Sequence, residues 1–404
     1  MGALRSDIAI LGGGLAGGLV ALALARFRPD LSILLVERED KLGGNHVWSF
    51  FATDLPEGGA DLIEPLIAAR WHGYDVHFRK FDRTLTTPYC ATTSDRLDAA
   101  VRAALPAGAI LSGVQVTGCD AHTVHLDNQT TITVDAVIDA RGEVDFSCMT
   151  GGWQKFLGQR LKLAKPHGLT RPIVMDAEVE QIDGYRFVYS LPFADDEIFV
   201  EDTYYSDGPA LDRPALAQRI ADYAAAKGWQ VVGITGEECG VLPVVSGGRL
   251  EDLMAHAGHA GAQAGTRAGL FHPMTSYSFP DALRFAMALA RQPGLTAADI
   301  PAFCKDHAAR HWRANWYYRV MTALLFDGAE PDQRHKVLRR FYGLNQRLIE
   351  RFYAGQSTWR DRLRILAGRP PLPVSNALAV LSGLGRRPRR LAGPPNASTG
   401  MIER

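Results

Sequence analysis

Two adjacent acids, Glu201 and Asp202, lie within the run FVEDTYYSD, Phe199 to Asp207, between an apolar pair and two tyrosines. Strands usually avoid acidic side chains, so carboxylates in this setting call for a chemical explanation. Apolar surroundings make a carboxylic acid hold its proton to higher pH, and a second carboxylate nearby strengthens the effect. Such a group can donate a proton near neutral pH. Adjacent strand residues point to opposite faces. Phe199, Glu201, Thr203 and Tyr205 therefore share one face, and Val200, Asp202 and Tyr204 share the other. The two acids are not a cooperating dyad unless the strand bulges or ends there. The plain alternative is an acid at a strand edge that faces water.

A second constellation opens the chain. The strand-like run DIAIL is followed by Gly12, Gly13, Gly14, Leu15, Ala16 and Gly17, then by the helix candidate LVALALARF and the buried strand LSILLVE. Gly12, Gly14 and Gly17 form G-x-G-x-x-G, with one glycine for the tight turn, one for close approach of a pyrophosphate and one for helix–strand packing. Leu15 and Ala16 would offer free N–H groups at the helix start. Glu37 closes the second strand 20 residues after Gly17, where a carboxylate can bind ribose hydroxyls and would repel a 2′-phosphate. This order predicts a dinucleotide, FAD or NAD rather than NADP. FAD is favoured by the N-terminal position and by VIDARG, Val137 to Gly142, whose Asp139 and Gly142 would approach the nucleotide. A third support is AGTRAGLFHPMTSYSFPDALR, Ala264 to Arg284, which carries His272 and Pro273 and resembles the flavoprotein segment that closes over the isoalloxazine.

The elements that must position these residues divide the chain. The predicted fold class is α/β with an α+β second part. A Rossmann-type FAD-binding domain takes residues 1–165 with 235–285, and an antiparallel-sheet substrate domain takes 166–234. A helical, basic, membrane-facing region takes 286–385, and a disordered tail takes 386–404. The second sheet is read from IVMDAEVE, YRFVYSLPF and EIFVEDTYY, with GVLPV as a further strand and ALAQRIADYAAAKGW as a helix with a glycine stop. HTVHLDNQTTITV reads as a hairpin turning at Asp127 and Asn128.

At 404 residues and 47% hydrophobic content the chain is globular, not disordered. Its net charge of zero hides a division: residues 309–390 hold 17 Lys/Arg against 5 Asp/Glu, leaving 27 against 39 elsewhere. Cys90, Cys119, Cys148, Cys239 and Cys304 are scattered, odd in number and without a CxxC pair, which reads as free thiols in a reducing compartment and no zinc site. The N-terminus lacks signal-peptide features. No apolar run reaches the roughly 18 residues of a spanning helix. Any membrane contact is therefore expected to be peripheral, from the cytoplasmic side. HWRANWYYRVMTALLF, His311 to Phe326, and QRHKVLRRFYGLNQRLIERFYAG, Gln333 to Gly355, interleave aromatics with arginines, as interfacial helices do. The same pattern suits helices packed on a sheet with a solvated basic face. No base-reading module accompanies the charge, so nucleic acid is not expected.

The sequence resembles the bacterial lycopene β-cyclases. The resemblance is carried, in family order from Leu11 to Ala282, by LGGGLAGGL, LGGNHVWSF, VIDARG, FVEDTYYSD, GVLPV and RAGLFHPMTSYSFPDA. It implies ring closure at each end of lycopene, through γ-carotene to β-carotene, by acid-catalysed cyclisation without net redox. That is an intramolecular lyase or isomerase reaction. It also implies reduced FAD as cofactor, NAD(P)H as electron donor, and a substrate drawn from the lipid bilayer at an anionic inner membrane face. Glu201 matches the family's catalytic glutamate, and Asp202 would support it. Trp48, Phe50, Phe51, Tyr185 and Tyr204 are candidate cation-stabilising aromatics. His272 would touch flavin or substrate. Two positions depart from the family pattern: Asp202 stands where the plant form has glutamate, and Ser276 stands where glycine is common. A flavin monooxygenase or a polyprenyl reductase on a lipid-soluble substrate is the alternative enzyme, and a nucleotide-stabilised carotenoid carrier is the alternative outside enzymes.

Overall fold

A computed structural model of the protein describes residues 4–258, 261–293, 295–367, 374–382 and 389–391. Leu4–Leu11 is the centre of the first sheet. It pairs in parallel with Ile33–Val36 on one side and with Thr131–Asp139 on the other. Ile33–Val36 and the second half of Thr131–Asp139 are buried on both faces, as parallel strands in a sheet centre are. Gly12 turns the chain at a φ of +95° into the helix Leu15–Phe27. That helix packs against Phe279–Ala290 from the distant glycine-bearing segment. The expected hairpin forms, with Val124 opposite Ile132 and Thr123 opposite Thr133.

The second sheet runs in the order 231–247, 150–163, 197–206, 185–194, 173–176, 74–78, 81–85. A small third sheet joins Val47–Phe51, Tyr89–Thr93 and Ile67–Trp71. The acid-bearing strand Glu197–Ser206 sits inside the second sheet, antiparallel to Thr150–Leu163 on one side and Tyr185–Ala194 on the other. One sheet face buries Leu157, Val188, Val200 and Tyr204 under the helix Arg213–Ala226. Each such aliphatic or aromatic side chain contributes about 1.5–3 kcal/mol by burial. The other face meets an aromatic core shared with the C-terminal helices, including Phe187, Tyr205, Phe326 and Tyr353.

This architecture moves two expected boundaries. Residues 150–163 pair with the acid-bearing strand, 231–247 pair with 150–163 on its other side, and 74–85 joins at the far edge. All three belong to the substrate-side sheet. The C-terminal region is helical, as expected, through Asp299–Ala314, Trp316–Phe326, Arg334–Tyr342, Gln346–Tyr353, Trp359–Leu366 and Val374–Leu381. Most aromatics of its two basic segments turn inward: Tyr317, Tyr318, Phe326, Phe341, Tyr342, Phe352 and Tyr353 are buried, while Trp316 stays exposed. Part of the expected disordered tail is anchored. Arg390 bridges Thr150, Arg389 pairs with Asp207 at 2.7 Å, and Leu391 is 1% exposed. The rest of that tail, 386–388 and 392–404, lies outside the described residues.

Candidate active site

One cavity of about 450 Å³ runs from the glycine turn to Glu201. Its first end is lined by Gly12, Gly14, Leu15, Ala16, Glu37 and Gly142. Gly14 caps the helix with no side-chain hydrogen bond, which leaves the first-turn N–H groups open to an anion. A Cβ on Gly14 would meet nothing within 4 Å, and the loop is open at that point. A Cβ on Gly17 would lie 1.9 Å from the carbonyl oxygen of Gly12, so this glycine serves the helix–turn packing. Gly13 is also behind the wall. Its N–H donates to Glu37 Oε2 at 2.7 Å, and a Cβ there would meet Leu42 at 2.5 Å. Glu37 Oε1 accepts from the N–H of Glu39 at 3.1 Å. Deeper in, the Oε1 of Gln154 is buried without a partner, and this residue lines the cavity. An open helix start, a carboxylate one strand away and an orphaned acceptor fit an adenine dinucleotide bearing a polar ring.

Glu201 lies at the other end, among Phe156, Tyr189, Leu191 and Phe199. Its carboxyl accepts a hydrogen bond from Thr203 Oγ1 at 2.5 Å, from two residues along the same face. Its pKa is pushed up from 4.5 to about 8, first by burial and then by the nearby Glu238 carboxylate. It is therefore a neutral, proton-bearing acid at pH 7. Asp202 points the other way, as strand alternation requires, and does not line the cavity. It is 0% exposed and holds the Arg186 guanidinium, whose Nε lies 3.0 Å from both carboxylate oxygens. It braces the strand and is not a second acid at the cavity.

Several expected contacts are placed elsewhere. Asp139 is buried behind the wall, paired with Arg141 at 2.7 Å and Arg267 at 3.3 Å. Arg141 and Gly142 reach the cavity instead. His272 and Pro273 also miss it. The backbone turns sharply after His272, where Ser276 N donates to His272 O at 2.8 Å. That turn aims the ring into the C-terminal helices, with Nε2 3.1 Å from Phe352 O and the Tyr318 ring tilted against it at 4.4 Å. Burial lowers the pKa of His272 to about 4, so the ring is neutral. The same segment reaches the cavity through Gly265, Thr266, Phe271 and Thr275 to Phe279. Ser276 adopts φ +56°, a left-handed conformation that glycine takes without strain. Its hydroxyl donates to Pro243 O at 2.5 Å. Of the five candidate aromatics, Trp48 alone lines the cavity.

Sequence reading missed Glu238. It lines the cavity, is 3% exposed, and accepts from Val47 N at 2.9 Å. His46 Nδ1 lies 3.3 Å away. The signal was present in GEECGVLPV, where Glu237 and Glu238 stand beside an apolar strand as Glu201 and Asp202 do. Alternation again divides the two acids. Glu237 faces the opposite side and binds Arg213 at 2.6 Å.

Comparison with known proteins gives a consistent result. Residues 7–379 match the family described as "Lycopene cyclase protein". The chain is 42% identical over 371 residues to a lycopene beta-cyclase of Pseudescherichia vulneris, covering 92% of this chain and 96% of that one. It is 40% identical over 375 residues to one of Pantoea ananas, covering 93% and 97%. Among solved structures, a geranylgeranyl bacteriochlorophyll reductase-like protein of Thermoplasma acidophilum superposes with a TM-score of 0.58 at 14% identity, covering 95% of this chain and 99% of that one. The p-nitrophenol 4-monooxygenase of Pseudomonas putida gives 0.57 at 13%, covering 88% and 100%. At such identities these likenesses establish a shared fold alone.

Proposed function

The chain belongs to the lycopene cyclase family, and on that premise we propose that it closes the linear ends of lycopene into β-rings, with Glu201 as the acid. The observation that carries the proposal is a neutral carboxyl at the apolar end of a cavity that begins at a dinucleotide-type glycine turn. Glu201 gives its proton to the terminal double bond. The next double bond attacks the resulting tertiary cation and a six-membered ring forms. Loss of a ring proton then completes an isomerisation with no net redox. Phe156, Tyr189, Leu191 and Phe199 exclude water from the cation, and the aromatic faces favour positive charge. Thr203 holds the carboxyl in place.

The open N–H groups of Leu15 and Ala16, together with Glu37, would hold FAD, and Gln154 offers an acceptor to its ring system. When bound and reduced at the expense of NAD(P)H, FAD would supply negative charge near the cation. The substrate is lipid-soluble, so the enzyme would work at the inner face of the cell membrane. No helix among the described residues is long and apolar enough to cross a membrane. The surface suited to docking is the helix Trp359–Leu366, where Trp359 is 66%, Leu363 59% and Leu366 52% exposed, beside Trp316 at 52%. Arg360, Arg362 and Arg364 alternate with them, which suits anionic headgroups around an apolar contact.

A redox reading, as monooxygenase or polyprenyl reductase, predicts one NAD(P)H consumed per product. Cyclisation predicts ring formation over many turnovers with no stoichiometric consumption. Purified protein supplied with lycopene, FAD and NADPH separates the two. One-to-one consumption would overturn the cyclase reading.

A further inference from the structure

The sheet register places a second carboxylate in the row of Glu201. Gly158 is paired with Glu201 on one side and with Glu238 on the other. Residues directly paired across strands share a face, and both glutamates line the cavity. Strands two apart put their backbones about 10 Å from each other. The residue between them has no side chain. A Cβ at Gly158 would lie 2.2 Å from the Phe199 ring, which occupies the space above it.

The reaction proposed above needs a base as well as an acid. The carbon that gains the proton and the ring carbon that loses one are both bonded to the carbon that becomes quaternary. Donor and acceptor must therefore stand around one small ring, as Glu201 and Glu238 do. We propose that Glu238 is the base that takes up the ring proton, so that one row of the sheet carries both proton transfers. This assignment rests on the cyclase reading. Glu238 Oε2 accepts from the Val47 N–H and, with the proton on Nδ1, from His46. That is the pattern of an accepting carboxylate.

Protons and electrons balance along this route. The Glu201 O–H bond breaks as a C–H bond forms at the inner carbon of the terminal double bond, which leaves the tertiary cation on the dimethyl carbon. The electron pair of the next double bond makes the new C–C bond. The ring C–H bond then breaks, its electron pair becomes the ring double bond, and its proton bonds to Glu238. Nothing is oxidised or reduced. The pair resets by moving one proton from Glu238 to Glu201. His46, with its side chain 30% exposed, links Glu238 to solvent for exchange. Where the base stands also selects which proton leaves, and so whether the double bond settles as a β-ring, an ε-ring or an exocyclic isomer.

The test compares wild type, Glu238→Gln, Glu238→Asp and Glu201→Gln as purified holoproteins on lycopene in liposomes. It reads bound flavin by absorbance, and ring type by chromatography. We expect Glu238→Gln to keep wild-type flavin, to lose β-ring formation by roughly 100-fold or more, and to shift its residual product toward ε or exocyclic isomers. Glu238→Asp restores part of the rate. Glu238→Gln making β-rings at the wild-type rate with an unchanged isomer ratio overturns the assignment, as does loss of flavin in step with activity. Wild type that leaves lycopene unchanged would instead overturn the cyclase reading itself.

Discussion

Glu201 is chemically distinct from the other acid beside it because of its surroundings, not its sequence neighbours. Its carboxyl ordinarily releases a proton near 4.5 but holds it to about 8 in the folded protein. Between those values the native state keeps a proton that the unfolded chain has lost. Stability therefore falls as pH rises from 4.5 to 8. The acid form that catalysis requires is lost as pH passes through 8. Ring closure should decline as pH rises through about 8 in a pH–rate profile, and activity that stays level to pH 10 would contradict it. Glu201→Gln should be more stable than wild type at pH 8, on the order of 4 kcal/mol from the shift alone, with little difference at pH 4.5. Strand alternation in FVEDTYYSD gave the face of Glu201 and its companions Phe199 and Thr203 correctly. It could not reveal Glu238, because that neighbour arrives by pairing across two strands. Nor could motif position alone assign His272, whose direction depends on a turn four residues long.

The glycine turn, its helix and its flanking strands were legible because their signals are local: glycine spacing, apolar runs and a terminal acid. The strand Thr150–Leu163 was not. Its run TGGWQKFLGQRLKL carries glycines and polar residues, and Gln154, Lys155 and Gln159 are buried only because strands on both sides enclose them. Gly158 within it has a specific demand placed on it by Phe199. Gly158→Ala should displace that ring and cost about 1–3 kcal/mol, seen as a lower denaturant midpoint. An unchanged midpoint, with Phe199 unmoved, would show that the ring is not held there by the bare glycine.

For the molecule as a whole, the sequence displayed the basic C-terminal third but not which side chains face outward. Most aromatics of His311 to Phe326 and Gln333 to Gly355 build the core against the second sheet, and the exposed apolar face falls on Trp316 and the helix Trp359–Leu366. Replacing Trp359 and Leu363 by glutamate should reduce co-sedimentation with anionic liposomes by roughly tenfold, in line with lost apolar area and added repulsion. Binding equal to wild type would place the docking surface elsewhere.

The account turns on one proton at one side chain, and Glu201→Gln tests it because glutamine keeps the shape and removes the acid. Cells that accumulate lycopene should form β-rings when they express the wild-type chain. With Glu201→Gln they should retain linear lycopene, while the purified variant still binds flavin at the wild-type level. Formation of β-rings by that variant at a near-normal rate would contradict the central claim.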